Sequence, residues 1–203
     1  MNVNVNSYYH KREVVFNKIQ DSTTVTKVIM AFLMACFTGI MAQIIIPLPF
    51  TPVPITGQTF AVLVAGLFLG KKYGALSQIF YVAIGATCLP WFAGMTGGIG
   101  AVLGATCGYF VGFILAAYFI GLISERYAKA RNFTRMTAVV AVANFAIIYI
   151  PGLAGLAAWS YFTQGVVLGP VELIIMGLAP FIIGDIVKIV SAGLVSKVFL
   201  PKA

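Results

Sequence analysis

Acidic side chains are almost missing: Asp and Glu together number five in 203 residues, and all charged residues make up 9% of the chain. A soluble domain usually carries about 25% charged residues. This chain therefore has too few charges to cover a surface that faces water. Histidine occurs once, at His10, and cysteine three times, at Cys36, Cys88 and Cys107. These cysteines are odd in number, lie in or beside apolar runs and lack metal-ligand spacing, so they read as reduced packing residues and no metal site is expected. No Ser/His/Asp set, H-E-x-x-H motif or Walker A loop occurs. An enzyme is not expected, no cofactor is implied, and the chain cannot hydrolyse ATP by itself.

What is abundant is apolar sequence, 61% of the residues. Several stretches reach the ~20 residues that span a bilayer core. The fold class is an all-α polytopic membrane protein with about six spans and no soluble domain. The net charge of +8 is not accompanied by a nucleic-acid motif or a basic aromatic surface, so no nucleic-acid partner is expected. Residues 1–27 are polar, and the first apolar run begins only near Val28 without a cleavage signature. This divides the chain into a cytoplasmic or interfacial segment, 1–27, and an integral membrane domain, 28–203. Within the first, Val14, Val15, Phe16 and Ile19 are suited to a short helix along the membrane surface.

The spans fall at about 28–46, 58–70, 74–89, 98–123, 136–162 and 179–200. The second and third are short and joined by Gly70-Lys71-Lys72-Tyr73-Gly74. An N-terminus inside puts twelve of the thirteen basic residues in cytoplasmic segments and none in the outer loops 47–57, 90–97 and 163–178. Such a bias fixes the orientation and an even number of spans. Pro180 suits a helix first turn, so the last span starts near Leu178 and residues 170–177 form an outer loop or a short interfacial helix.

The thirteenth basic residue is Lys188, three positions after Asp185, the one acid left in the membrane. A three-residue spacing puts both on one helical face. An ionisable residue inside a membrane segment is costly and marks a functional site; a structural ion pair is the plainer alternative. The pair lies in the outer third of the bilayer, so a pocket around it opens outward.

Other motifs have two readings each. Gly100, Gly104, Gly108 and Gly112 form a smooth stripe for helix packing on the fourth span. Ala31 and Ala35 are a small-residue patch, for internal packing or for docking another membrane protein. The loop Pro47–Gln58 carries four prolines and is either a rigid connector or a lid, with Gln58 offering a donor and an acceptor at its end. Trp91 and Phe92 are interfacial aromatics or a stacking surface for a flat ligand. Asn144, in the fifth span, glues helices or reaches a ligand amide.

Four stretches together resemble the BioY family, the biotin-specific S components of energy-coupling factor (ECF) transporters. They are Pro49-Phe-Thr-Pro-Val-Pro-Ile-Thr-Gly-Gln-Thr-Phe60, Leu89–Gly98, Gly104–Gly112 and Pro180-Phe-Ile-Ile-Gly-Asp-Ile-Val-Lys188. Ala105 and Ile183 stand where the family often has proline; the polar groups are kept. The resemblance implies a six-helix S component of the ABC superfamily in a bacterial cytoplasmic membrane. It would capture extracellular biotin, with a transmembrane coupling (T) subunit, two cytoplasmic ATPases and membrane lipids as partners. It also implies docking through Ala31 and Ala35. The residues suit biotin: Lys188 for its carboxylate, Asp185 for its ureido N–H groups, and Trp91, Phe92 and the proline lid over its apolar body, with the two polar roles exchangeable. An S component for another vitamin, or a stand-alone channel or carrier, is the alternative.

Overall fold

The computed structural model describes residues 5–87 and 89–201; of residues 5–11 and Val15 it describes the backbone alone. Helix α1 spans Val5–Gln20 and α2 spans Thr24–Ala42. A two-stranded ribbon follows, β1 (Ile45–Ile46) against β2 (Ile55–Thr56), and closes the base of the first loop. Helix α3 is Gln58–Ala86, α4 the single turn Ile99–Val102, and α5 Cys107–Arg126. Helix α6 (Phe133–Val142) runs through a π-helical turn, Ala143–Ile148, into α7 (Tyr149–Gln164). Helices α8 (Pro170–Gly177) and α9 (Ile182–Phe199) end the bundle.

Five helical stretches among the described residues are long and apolar enough to cross a membrane. The six expected spans match this number only when α3 is divided. Gly70 sits at φ 72°, ψ −174° inside it, a conformation that only glycine adopts freely. The chain reverses there: Gln58 donates to the Tyr81 hydroxyl across 23 positions, at 2.5 Å. The arms 58–69 and 71–86 are therefore an antiparallel hairpin, and the expected five-residue link is one residue. The first arm, at 1.5 Å per residue, is too short for a ~30 Å core.

The turn is held by α5. A Glu125 oxygen accepts from the Lys71 backbone N–H at 2.9 Å and caps the second arm. The accompanying Lys71–Glu125 ion pair is 3.7 Å long and partly exposed, so it contributes little. Glu125→Ala is expected to cost about 1 kcal/mol, the usual loss for a helix cap, and thermal denaturation of the purified protein would measure it.

The basic residues gather at this end. Arg131 lies 4.7 Å from the Phe16 ring centre and donates to the Ser124 carbonyl at 2.9 Å; burial lowers its pKa from the ordinary value. Arg12 donates to the Leu200 carbonyl. Lys27 and Lys72 both lie within 6 Å of the Tyr73 ring centre. Helix α1 is thereby tied across the end of the bundle, with Ile19 turned toward α2 and α3 and Val14 half exposed.

The buried face of α2 consists of Ala31, Ala35, Thr38, Gly39 and Ala42. Gln78, on the second arm of α3, donates to Thr38 at 3.3 Å, so this face meets the hairpin. Ala31 and Ala35 are both 0% exposed. The surface that α2 leaves open carries Val25, Ile29, Phe32 and Leu33.

The glycine stripe is not one helical face. Gly100 lies in α4 and Gly104 in the turn after it, because α5 starts only at Cys107. Gly108 and Gly112 press against α7 and the π turn: a Cβ at Gly108 would collide with the Pro151 carbonyl, and one at Gly112 would lie 2.7 Å from the Ile148 Cα. The break expected at Pro180 is present, with α8 before it and α9 after it. Cys36 and Cys107 are free thiols; Cys88 lies outside the described residues.

Candidate functional site

At the end of the bundle opposite the basic cluster lies a cavity of about 330 Å³, within the usual size range of small-molecule sites. The first loop covers it with Pro52, Val53 and Pro54, and the second loop lines it with Phe92, Ala93 and Thr96. Phe110 and Phe113 of α5, Ile148 of the π turn and Phe181 supply apolar walls. The proline loop is anchored on its far side, where the Thr51 hydroxyl donates to the Met176 carbonyl at 2.7 Å.

Asp185 and Lys188 form the polar end. Both line the cavity, on the first turns of α9. Lys188 Nζ donates to Asp185 Oδ1 at 2.8 Å and to Thr59 Oγ1 at 2.9 Å. The ammonium has three N–H donors, so a third is left for a ligand. The other carboxylate oxygen, Oδ2, accepts from the Asn144 amide at 2.7 Å and from the Tyr149 hydroxyl at 2.5 Å. Asp185 is 1% exposed. A buried charge is tolerated only when paired and fully hydrogen-bonded, and its three partners meet that condition.

The π turn explains how Asn144 and Tyr149 arrive there. Pro151 has no N–H and its ring would strike the carbonyl four residues back. The widened turn at Ala143–Ile148 lies just N-terminal to it, which is how helices commonly absorb such a defect. Asn144 lies in this turn and Tyr149 directly after it, and both reach the same Asp185 oxygen, Oδ2.

Of the residues read from sequence, Gln58, Phe92, Asp185 and Lys188 line the cavity. Asn144 is fully buried and touches Asp185 rather than the cavity space. Trp91 faces away: its indole N–H donates to the Tyr81 carbonyl at 3.0 Å, and its ring packs on Gly39 of α2. The Gln58 side chain also accepts from the Thr56 hydroxyl at 2.9 Å. Thr59, Tyr109, Tyr149 and Phe181 were not legible as site residues. Tyr149 had one available signal, its place two residues before a proline inside an apolar span.

The family model described as the BioY family matches residues 13–202. The chain belongs to the BioY family. It is 51% identical over 138 residues to a probable biotin transporter BioY of Methanothermobacter thermautotrophicus, covering 68% of this chain and 88% of that one. It is 38% identical over 151 residues to the biotin transporter BioY of Thermotoga maritima, covering 74% and 83%. Among solved structures it matches the S-component for biotin from an ECF-type ABC transporter. That match has a TM-score of 0.74 and 25% identity over 87% of this chain and 93% of the other. This BioY-family chain is thus a multi-pass membrane protein with the S-component fold, and its family is one of transporters.

Proposed function

We propose that the chain is the biotin-binding S component of an ECF-type vitamin transporter and that the cavity takes one molecule of biotin. The observation that carries this reading is the adjacent acceptor and donor at the cavity's polar end. Asp185 Oδ1 and Lys188 Nζ lie 2.8 Å apart. A ureido group presents an N–H and a C=O side by side, so one edge of it can donate to the carboxylate and accept from the ammonium. An arrangement in which Lys188 and Asp185 hold different ends of biotin fits this geometry less well, because both charges sit at one end. The apolar thioether ring and aliphatic chain would lie along Phe92, Phe110 and Phe113, with the carboxylate farther along the cavity. Charge-assisted bonds made in a site that excludes water are the strong kind.

In this reading the chain resides in the cytoplasmic membrane, with residues 1–27 as an interfacial segment on the cytoplasmic side and residues 28–203 as the membrane domain. The loops roofing the cavity face outward. A transmembrane T subunit and two ATPases would energise release inward. Docking through Ala31 and Ala35 would require α2 to move off the α3 hairpin, since both residues are covered. A thermal-shift panel tests the substrate class, because a ligand bound only by the folded protein raises its stability by mass action. Biotin should stabilise the detergent-solubilised protein, and other vitamins should not. A shift with another vitamin and none with biotin would reassign the substrate.

A further inference from the structure

The second loop forms a wall of the cavity yet is built under strain. Met95 lies at φ 58° and the preceding Gly94 at φ 69°. A side chain other than glycine's in the left-handed region costs about 1–2 kcal/mol, so something outside the loop must hold it there. The holding group is Gln43, the residue that ends α2. Its amide Nε2 donates to the Trp91 carbonyl at 3.1 Å and the Phe92 carbonyl at 3.0 Å, as well as to Gly39 at 3.1 Å. Its Oε1 accepts from the Met95 backbone N–H at 3.2 Å. One side chain therefore binds both ends of the turn, and the strained residue is one of its partners.

What this holds in place is Phe92. That ring is 2% exposed and lines the cavity. It sits against Gly85, where any Cβ would overlap it, and the Phe92 backbone N–H donates to the Thr96 carbonyl at 2.9 Å. Ala93 and Thr96, also lining residues, belong to the same turn. The first loop is fixed to the same helix end, because the Gly57 N–H donates to the carbonyls of Met41 and Ile44 at 3.1 and 3.0 Å. Gln43 itself is not among the lining residues.

We infer that Gln43 is a positioning residue for substrate retention: it clamps the 91–96 turn to the end of α2 and so keeps the Phe92 wall closed on the bound molecule. This rests on the reading of the cavity as a biotin site. Movement of α2 would release this wall and the Gly57 end of the proline loop together.

The test is Gln43→Met, which keeps the length of the side chain and removes its hydrogen bonds. Biotin dissociation from the purified full-length protein should quicken on the order of tenfold, which corresponds to about 1.4 kcal/mol. Hydrogen exchange of the amides over 92–98 should also quicken in the ligand-free protein, while its melting temperature falls by no more than about 4 °C, the shift of roughly 1 kcal/mol in a chain of this size. An unchanged dissociation rate overturns the inference, whether melting falls or not, since a merely structural residue would give that result. Gln43→Asn, which keeps the amide and withdraws it by one carbon, carries the same test if Gln43→Met does not fold. If the parent protein itself retains no biotin, the site reading fails instead. Amide exchange, which needs no ligand, then decides the clamp: unchanged exchange in the variant overturns it.

Discussion

Replacing Asp185 with alanine is expected to weaken biotin binding on the order of a thousandfold, or about 4 kcal/mol. Two losses combine. The ureido group loses its charged acceptor, and a hydrogen bond to a charged group is worth about 1.5–3 kcal/mol. Lys188, whose side chain is only 15% exposed, is left beside an apolar wall without its counter-ion. Removing one member of a buried pair costs about 3–5 kcal/mol, so the ligand-free protein should melt lower as well. The combined variant Asp185→Asn/Lys188→Met separates the two effects. It removes both charges at similar volume, so stability should return toward that of the parent while biotin binding stays lost. Titration with labelled biotin and a melting curve on each variant check the pair of outcomes. Binding by Asp185→Ala within about threefold of the parent would move the site elsewhere.

The second large effect is at Gly108. Gly108→Val is expected to cost about 3 kcal/mol or more and to leave little folded protein in the membrane. Overpacking usually costs about 1–3 kcal/mol because side chains shift to absorb it. Here the added atoms would meet backbone: the Pro151 carbonyl and, at 3.0 Å from a Cβ, the Gly155 Cα. In lipid, close backbone approach is a main source of helix association, and α5 also carries Phe110 and Phe113 into the cavity wall. Gly100→Ala is the matched control, since a Cβ there meets nothing within 4 Å; it should stay within about 0.5 kcal/mol of the parent. Melting temperatures of the two variants in detergent decide this. Equal losses at both positions would contradict the packing account.

This contrast shows how far the sequence could be read. The apolar runs, the sorting of basic residues to one end and the Asp185–Lys188 pair are composition and spacing, and these survive into the fold. Pro180 was legible for the same reason, as its backbone chemistry is local. What could not be read depends on where the chain turns back. A glycine every fourth residue from Gly100 to Gly112 looks like one stripe, but α5 begins only at Cys107, so Gly100 sits in α4 and Gly104 in the turn after it. In the sequence Gly70 looks like the edge of a link, whereas its positive φ makes it the whole reversal. Trp91 and Phe92 are neighbours with similar chemistry, yet the loop turns one to α2 and the other to the cavity. The partners of Asp185 were hidden for a related reason. Tyr149 and Asn144 are five residues apart, a spacing that shares a face only in the π turn beside Pro151.

The central claim is tested most directly by equilibrium binding of biotin to the purified, detergent-solubilised protein. A single saturable site per chain is predicted, with a Kd below about 1 µM, equivalent to about −8 kcal/mol, and with binding lost in the Asp185→Asn/Lys188→Met variant. No saturable binding, or binding that this variant leaves intact, would contradict the assignment of the cavity to biotin.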